Sequence, residues 1–170
     1  VGVDVGQPPA DAGARGRAGR VVAGRVRVVR AQGSDEGGVT MLDVHATVDL
    51  EGPGLDGRAP GILDDYTQAV VDDIAEQGFR DIGFTLHRVL KHPTGWYQSQ
   101  IRNRPLGAHT RVLYDNRVIY GAWLEGVGSR NTPVTRFEGY FTFRRVALAL
   151  NRKAKPIAEM TLRRYLGRLQ

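Results

Sequence analysis

Apolar and polar positions alternate most cleanly between Met41 and Leu50. Leu42, Val44, Ala46, Val48 and Leu50 fall on one side of an extended chain, and Met41, Asp43, His45, Thr47 and Asp49 fall on the other. A period of two predicts a strand with one packed face and one wet face. A shorter strand is expected over 21–30, where Val26 and Val28 oppose Arg25 and Arg27. Residues 31–38, rich in Gly, Ser, Asp and Glu, read as the turn or loop between them. The two strands are therefore expected to pair antiparallel.

Past the Gly/Pro-rich loop 51–61 the period changes. Ile62, Tyr66, Val70 and Ile74 form one stripe, continued by Ile82, Leu86, Val89 and Leu90. This spacing predicts a long helix from Pro60 to Lys91. Pro60 suits a first helical turn, and Asp64 and Asp65 are expected to favour the N-terminal dipole. His92-Pro93 should stop the helix. Gly78 and Gly83 each weaken it by up to about 1 kcal/mol relative to Ala, and are expected to mark a kink or a close helix–sheet contact.

Strands are expected again at 96–101 and 111–114, the second leading into the turn Asp115-Asn116. Residues 118–124 fit either a strand or a short helix. Residues 126–136 read as a Gly/Ser/Asn/Pro loop, and 137–143 carry aromatics around Gly139. A final helix is placed at 143–169, broken or kinked near Pro156, with Ala158, Leu162, Tyr165, Leu166 and Leu169 on one face. The expected fold is α+β: an antiparallel β-sheet packed against one long helix, plus a C-terminal helix. Residues 1–20 show no period and read as a flexible arm. The chain divides into an N-terminal arm with a short strand, 1–38, partly flexible or interface-forming, and an α+β domain, 39–170.

Composition narrows the function classes. A chain of 170 residues, 41% hydrophobic and 25% charged, is long enough for one domain with a real core. No apolar run approaches the roughly 20 residues that cross a bilayer, so no membrane partner is expected. The opening residues lack the charged head and apolar run of a secretory signal. The absence of cysteine excludes disulfides, thiolate metal sites and cysteine nucleophiles. The net charge of +6 is concentrated late: Arg144, Arg145, Arg152, Lys153, Lys155, Arg163, Arg164 and Arg168 stand against Glu159 alone. Arg152, Lys153, Lys155, Arg163, Arg164 and Arg168 form a candidate basic surface, for nucleic acid or an acidic protein, against the plain alternative of a solvated helix face.

Catalytic chemistry finds little support. His45, His87, His92 and His109 show no metal-ligand spacing. A Ser99–His45–Asp assembly lacks any local signature, and a small hydrolase using His45 or Glu125 is the weakest of the readings. Gly126-Val127-Gly128-Ser129-Arg130 lacks the spacing of a phosphate loop and reads as a flexible loop. Asp64/Asp65 and Asp72/Asp73 point about 100° apart within each pair and read as solvated helix surface. Trp96, Tyr97, Tyr120, Trp123, Tyr140, Phe141 and Phe143 crowd the second half. Most are expected in the core, and the remainder could anchor a subunit interface. No catalytic residue, cofactor or metal is expected.

Three segments carry a family likeness. His92-Pro93-Thr94-Gly95-Trp96-Tyr97-Gln98-Ser99-Gln100-Ile101 resembles a P-x-x-T-G-x-L-x-x-S-I segment. Tyr120-Gly121-Ala122-Trp123-Leu124-Glu125-Gly126-Val127-Gly128-Ser129 is similar to Y-A-x-x-x-E-x-G-T, with one extra residue before the second Gly and Ser for Thr. Thr142-Phe143-Arg144-Arg145-Val146-Ala147 keeps the aromatic, Arg and Ala of P-F-L-R-P-A but neither proline. In this order, after a strand pair and a long helix, they resemble the tail-completion or neck proteins of long-tailed bacteriophages, also called head–tail connector or minor tail components. The likeness spans roughly residues 39–169.

The resemblance implies a structural virion protein rather than an enzyme. Such proteins are assembled in the host cytoplasm and sit at the head–tail junction or the top of the tail. The implied assembly is a homo-oligomeric ring, six-fold in expectation, that joins the capsid connector to the tail tube around the DNA channel. Its neighbours would be head-closure or connector proteins and tail-tube or tail-terminator proteins. A tail-terminator ring capping the tube, or a basic nucleic-acid-binding module, are the alternatives. Trp96, Tyr97, Trp123, Glu125, Arg130, Arg136, Phe143, Arg144 and Arg145 are the candidate contacts, with the 126–136 loop and the arm reaching neighbours.

Overall fold

The computed structural model describes residues 26–33, 40–46, 59–127, 131 and 133–166. The expected arm, Val48, Leu50, most of the 51–61 loop, Arg130, Arg168 and Leu169 lie outside the described residues. The fold is α+β, an antiparallel sheet backed by a long helix and a C-terminal helix.

The elements run β1 (Val26–Gly33), β2 (Thr40–Ala46), α1 (Ala59–Val89), α2 (Trp96–Ser99), β3 (Ile101–Gly107), β4 (Thr110–Asp115), α3 (Gly121–Leu124) and α4 (Thr142–Leu166). The sheet order is β1-β2-β4-β3, with every neighbouring pair antiparallel. The expected pairing of the first two strands holds, with Val28 opposite Val44 and Arg27 opposite His45. β1 reaches Gly33, into the segment expected to be loop.

The alternation in β2 is realised in three dimensions. Leu42, Val44 and Ala46 are buried, and the register aligns Leu42 with Leu113 of β4. These side chains meet α1 and α4 in one core: Tyr66, Val70, Val71, Ile74, Ala75, Ile82 and Leu86 from α1, and Phe143, Val146, Leu150, Ala154 and Ala158 from α4. Burying such a continuous apolar layer is the main driving force of the fold.

Gly78 of α1 sits where the helix meets both other layers. A Cβ there would stand 2.8 Å from Leu150 Cδ1 and 2.9 Å from Leu113 Cδ1, so the expected close approach is real. Gly83 has open space around it and no such role.

Four expectations need correction. Residues 96–99 form a helical turn rather than a strand, because Gly95 adopts φ 80° and starts a turn that Ser99 N closes onto Gly95 O at 2.9 Å. The strand begins at Ile101 and runs through Arg102-Asn103-Arg104-Pro105-Leu106, an edge strand too polar to show a clear period. α4 runs through Pro156 as one helix, which overturns the break but not the kink of that expectation. Asp64 and Asp65 lie beyond the first turn of α1, too far in to complement its dipole.

The acids of α1 are not idle solvated groups either. Asp72 accepts Arg111 Nε of β4 at 2.5 Å and Gln68 Nε2 at 2.8 Å. Asp73 accepts Thr161 Oγ1 of α4 at 2.5 Å and is paired with Arg164. Asp81 holds Lys153 Nζ at 2.7 Å, and Asp64 meets His109 Nε2 at 2.9 Å. α1 is thus pinned to the sheet on one flank and to α4 on the other. Tyr66 adds a buried bond, its hydroxyl donating to Ala158 O at 3.1 Å.

Candidate functional site

Segments 92–101, 120–129 and 142–147 converge on one buried joint. The first enters it through Tyr97. Gly95 turns the chain so that α2 points the Tyr97 ring inward while Trp96 stays 52% exposed. The Tyr97 hydroxyl lies 3.3 Å from Asp115 Oδ2 at the end of β4. Burial is the main force pushing the Tyr97 phenol upward, with the Asp115 carboxylate next. It therefore stays a neutral donor. Gly121 leaves the room for this contact: a Cβ there would stand 1.7 Å from Asp115 Oδ2.

The second segment meets the third through Glu125. α3 ends at Leu124 and delivers Glu125 into the core, 4% exposed. Its Oε1 accepts from Thr142 N at 2.9 Å and its Oε2 from Phe143 N at 3.0 Å. These are first-turn amides of α4, which have no intrahelical acceptors. Glu125 therefore caps a 25-residue helix from a distant position in sequence. Burial pushes its carboxyl up from 4.5 to about 7, against the two backbone bonds, which favour the ionised form; nearby Asp115 adds a smaller upward push.

The chain between Glu125 and Thr142 is closed at its base. Gly126, at φ 74°, and Gly139, at φ 111°, lie back to back: a Cβ on Gly139 would stand 2.3 Å from Gly126 N, and one on Gly126 2.3 Å from Glu138 O. Tyr140 N donates to Leu124 O at 2.6 Å across the neck. Asn131, buried, donates through Nδ2 to Trp123 O at 2.9 Å and Phe137 O at 3.1 Å. Trp123, Phe137 and Tyr140 stack with centroid spacings of 4.4 and 5.0 Å. Gly126 serves the close approach of two backbones, while the rest of that glycine run, Gly128 to Arg130, lies outside the described residues.

The candidate contacts divide accordingly. Trp96, Arg136, Arg144 and Arg145 are on the surface, and Trp123 is half-buried in the loop stack. Tyr97, Glu125 and Phe143 are interior, so the expectation that they touch a partner is corrected: their side chains are used up in the joint. Of the basic surface, Arg152, Lys153, Lys155, Arg163 and Arg164 are exposed. Lys153 and Arg164, however, are engaged by α1 acids.

One surface residue, Ile119, escaped sequence reasoning, and it adjoins Tyr120, an aromatic the sequence did single out. Ile119 is fully exposed and Tyr120 stacks at 5.9 Å on Trp96, extending that aromatic surface. The signal was the turn Asp115-Asn116-Arg117, which ends β4 and swings Ile119 outward; Arg117 there takes φ 54°.

The proposed hydrolase groups do not assemble. Ser99 Oγ donates to Trp96 O at 2.6 Å, whereas His45 Nδ1 lies 3.2 Å from both His109 O and Thr110 Oγ1. Glu125 faces helix amides. Among the described residues no group of three or more His, Asp or Glu is placed to hold a metal ion, and no helix is long and apolar enough to cross a membrane. Compared with known proteins, the chain matches no family model, no curated protein and no solved structure.

Proposed function

We propose that this chain is a structural protein of the head–tail junction of a tailed bacteriophage, one subunit of a ring that joins the capsid connector to the tail tube. The observation behind this reading is the convergence of the three family-like segments on one joint. Tyr97 from the first reaches Asp115 and Tyr120, and Glu125 from the second caps α4 at Thr142 and Phe143 in the third. The one acid in these segments is committed to holding a helix, which suits an architectural role better than catalysis.

Around the joint the chain presents groups fit for docking: Trp96, Ile119 and Tyr120 on one side, and Arg136 and Arg144 near the closed loop. Aromatic and Arg side chains dominate the energetics of protein interfaces. In a ring each subunit would offer one patch to its neighbour and receive another, closed by rotation. No cofactor enters this reading.

Electron microscopy of the particle that carries this chain tests it. The expected result is density for α1, α4 and the four-stranded sheet, repeated around the axis between head and tail tube. Density for this chain elsewhere in the particle would reject the junction reading. A ring at the distal face of the connector with no contact to the tube would reject the bridging role.

A further inference from the structure

We propose that the solvent face of α4 binds the phosphate backbone of duplex DNA through Arg145, Arg152 and Arg163. This goes beyond the junction reading and does not depend on it.

α4 carries seven basic residues and one acid. Lys153 and Arg164 lean toward α1, where Asp81 and Asp73 neutralise them. Lys155 sits 4.0 Å from Glu159, one turn on. Arg144, Arg145, Arg152 and Arg163 are exposed and make no ion pair among the described residues, and Arg144 stands about 100° around the helix from Arg145. A surface helix that is merely solvated gains from acids placed four residues away; Arg145 and Arg152 have Ala149 and Pro156 at those positions, while Arg163 follows Glu159 by four residues, an acid whose ion pair is with Lys155.

Geometry adds a line to the charge. At about 100° per residue, Arg145 and Arg163 fall on the same meridian of the helix and Arg152 within about 20° of it. That meridian lies opposite the face buried through Val146, Leu150, Ala154 and Ala158. At about 1.5 Å per residue the three guanidinium groups span about 27 Å, which matches about 8 base pairs of duplex.

The first of them sits where a cation is least welcome. Arg145 lies near the N-terminus of α4, whose dipole repels positive charge. The amides there are already occupied by Glu125, so the helix end is not itself the anion site. A local conflict of this kind, with no compensating partner in the fold, points to a ligand outside it.

Duplex DNA fits this face better than an acidic protein. A protein partner needs an apolar centre with a charged rim. Here the charges hold the centre line and the exposed apolar side chains, Leu148 and Met160, lie to either side. A phosphate backbone needs only a row of cations.

The test is fluorescence anisotropy of the full chain with labelled mixed-sequence duplex of about 30 base pairs, titrated at about 50 and about 200 mM salt. Engaging three or four phosphates predicts that affinity drops about 40- to 150-fold between the two salts. Arg145→Ala, Arg152→Ala and Arg163→Ala should each lower the log–log salt slope by about 0.9. A control, Lys153→Ala with Arg164→Ala, should leave the slope unchanged. No binding by the folded wild-type chain at the lower salt overturns the proposal. So does a slope that follows the control pair instead of the three arginines. Polyglutamate that competes as effectively as duplex, charge for charge, assigns the face to an acidic protein and also overturns it. The location of the chain in the particle is read independently by microscopy, so either conclusion can fail alone.

Discussion

Glu125 Oε2 and the amide of Phe143 meet at 3.0 Å in the core, joining the end of one short helix to the start of α4. Thr142 N on the other carboxylate oxygen makes the contact two-pronged. A side chain acting as a helix cap from seventeen residues upstream ties the closed loop, the aromatic joint and α4 into one unit. Replacing Glu125 with Ala strands two buried amides. The expected loss is about 2–4 kcal/mol, read by urea unfolding. A loss below about 0.5 kcal/mol, the range of ordinary surface changes, would show that water or a rearranged neighbour satisfies those amides.

The same carboxyl makes stability depend on pH. In the folded chain Glu125 keeps its proton to about 7, whereas the unfolded chain releases it near 4.5. Between those values the folded state binds more protons than the unfolded one, so this contribution is complete below pH 4.5 and is lost as pH rises to about 7. The change amounts to about 3 kcal/mol across the window. Glu125→Gln removes the titration. Its stability relative to the wild type should therefore improve by about 3 kcal/mol from pH 4 to pH 8, whatever the fixed cost of losing one acceptor. Parallel stability–pH curves for the two proteins would refute the assignment.

Gly126 and Gly139 predict how rigid the loop base is. Gly126→Ala would force a Cβ to 2.3 Å from Glu138 O and 2.4 Å from the Phe141 ring, at φ 74°. The obstacle includes backbone, so the chain must move. We expect a loss on the order of 3 kcal/mol, with increased hydrogen exchange at Tyr140 N, whose acceptor Leu124 O lies across the neck. Unchanged exchange at Tyr140 in the variant would mean the neck is not closed by this contact.

Gly78 and Gly83 offer a paired test inside α1. Gly83→Ala meets open space and should stabilise the chain by about 0.5–1 kcal/mol through helix propensity. Gly78→Ala gains the same propensity but pushes Leu150 and Leu113, and should be net destabilising by about 1 kcal/mol. Thermal unfolding of both variants decides the matter: equal shifts in Tm would mean the helix–helix–sheet contact at Gly78 is loose.

The Asp81–Lys153 pair links α1 to α4, with side chains 22% and 47% exposed. Partial exposure keeps its value small. A double-mutant cycle should give a coupling of about 0.5 kcal/mol that shrinks as salt rises to about 1 M. A coupling that ignores salt would contradict the ion-pair description.

The periodicities of two and 3.6 by themselves determined β2, the long helix α1, the final helix and the α+β class, because burying one face of each element requires those spacings. They left Gly78 and Gly83 alike as marks of a kink or a close contact, and only the packing of Leu150 and Leu113 singles out Gly78. They misread residues 96–99, where alternation was overridden by one left-handed glycine, and they passed over β3, whose edge position relieves it of an apolar pattern.

What only the tertiary structure decided is the use of each polar side chain. Glu125 and Tyr97 look like surface groups in sequence, and become interior ones because helix amides and Asp115 come to meet them. Asp72 and Asp73 look solvated, and become braces because β4 and α4 bring Arg111, Thr161 and Arg164 alongside. Hydrophobic burial follows from a residue's own chemistry and spacing, so it is legible locally. A hydrogen bond or ion pair needs a partner within about 3 Å, and that partner is chosen by the fold.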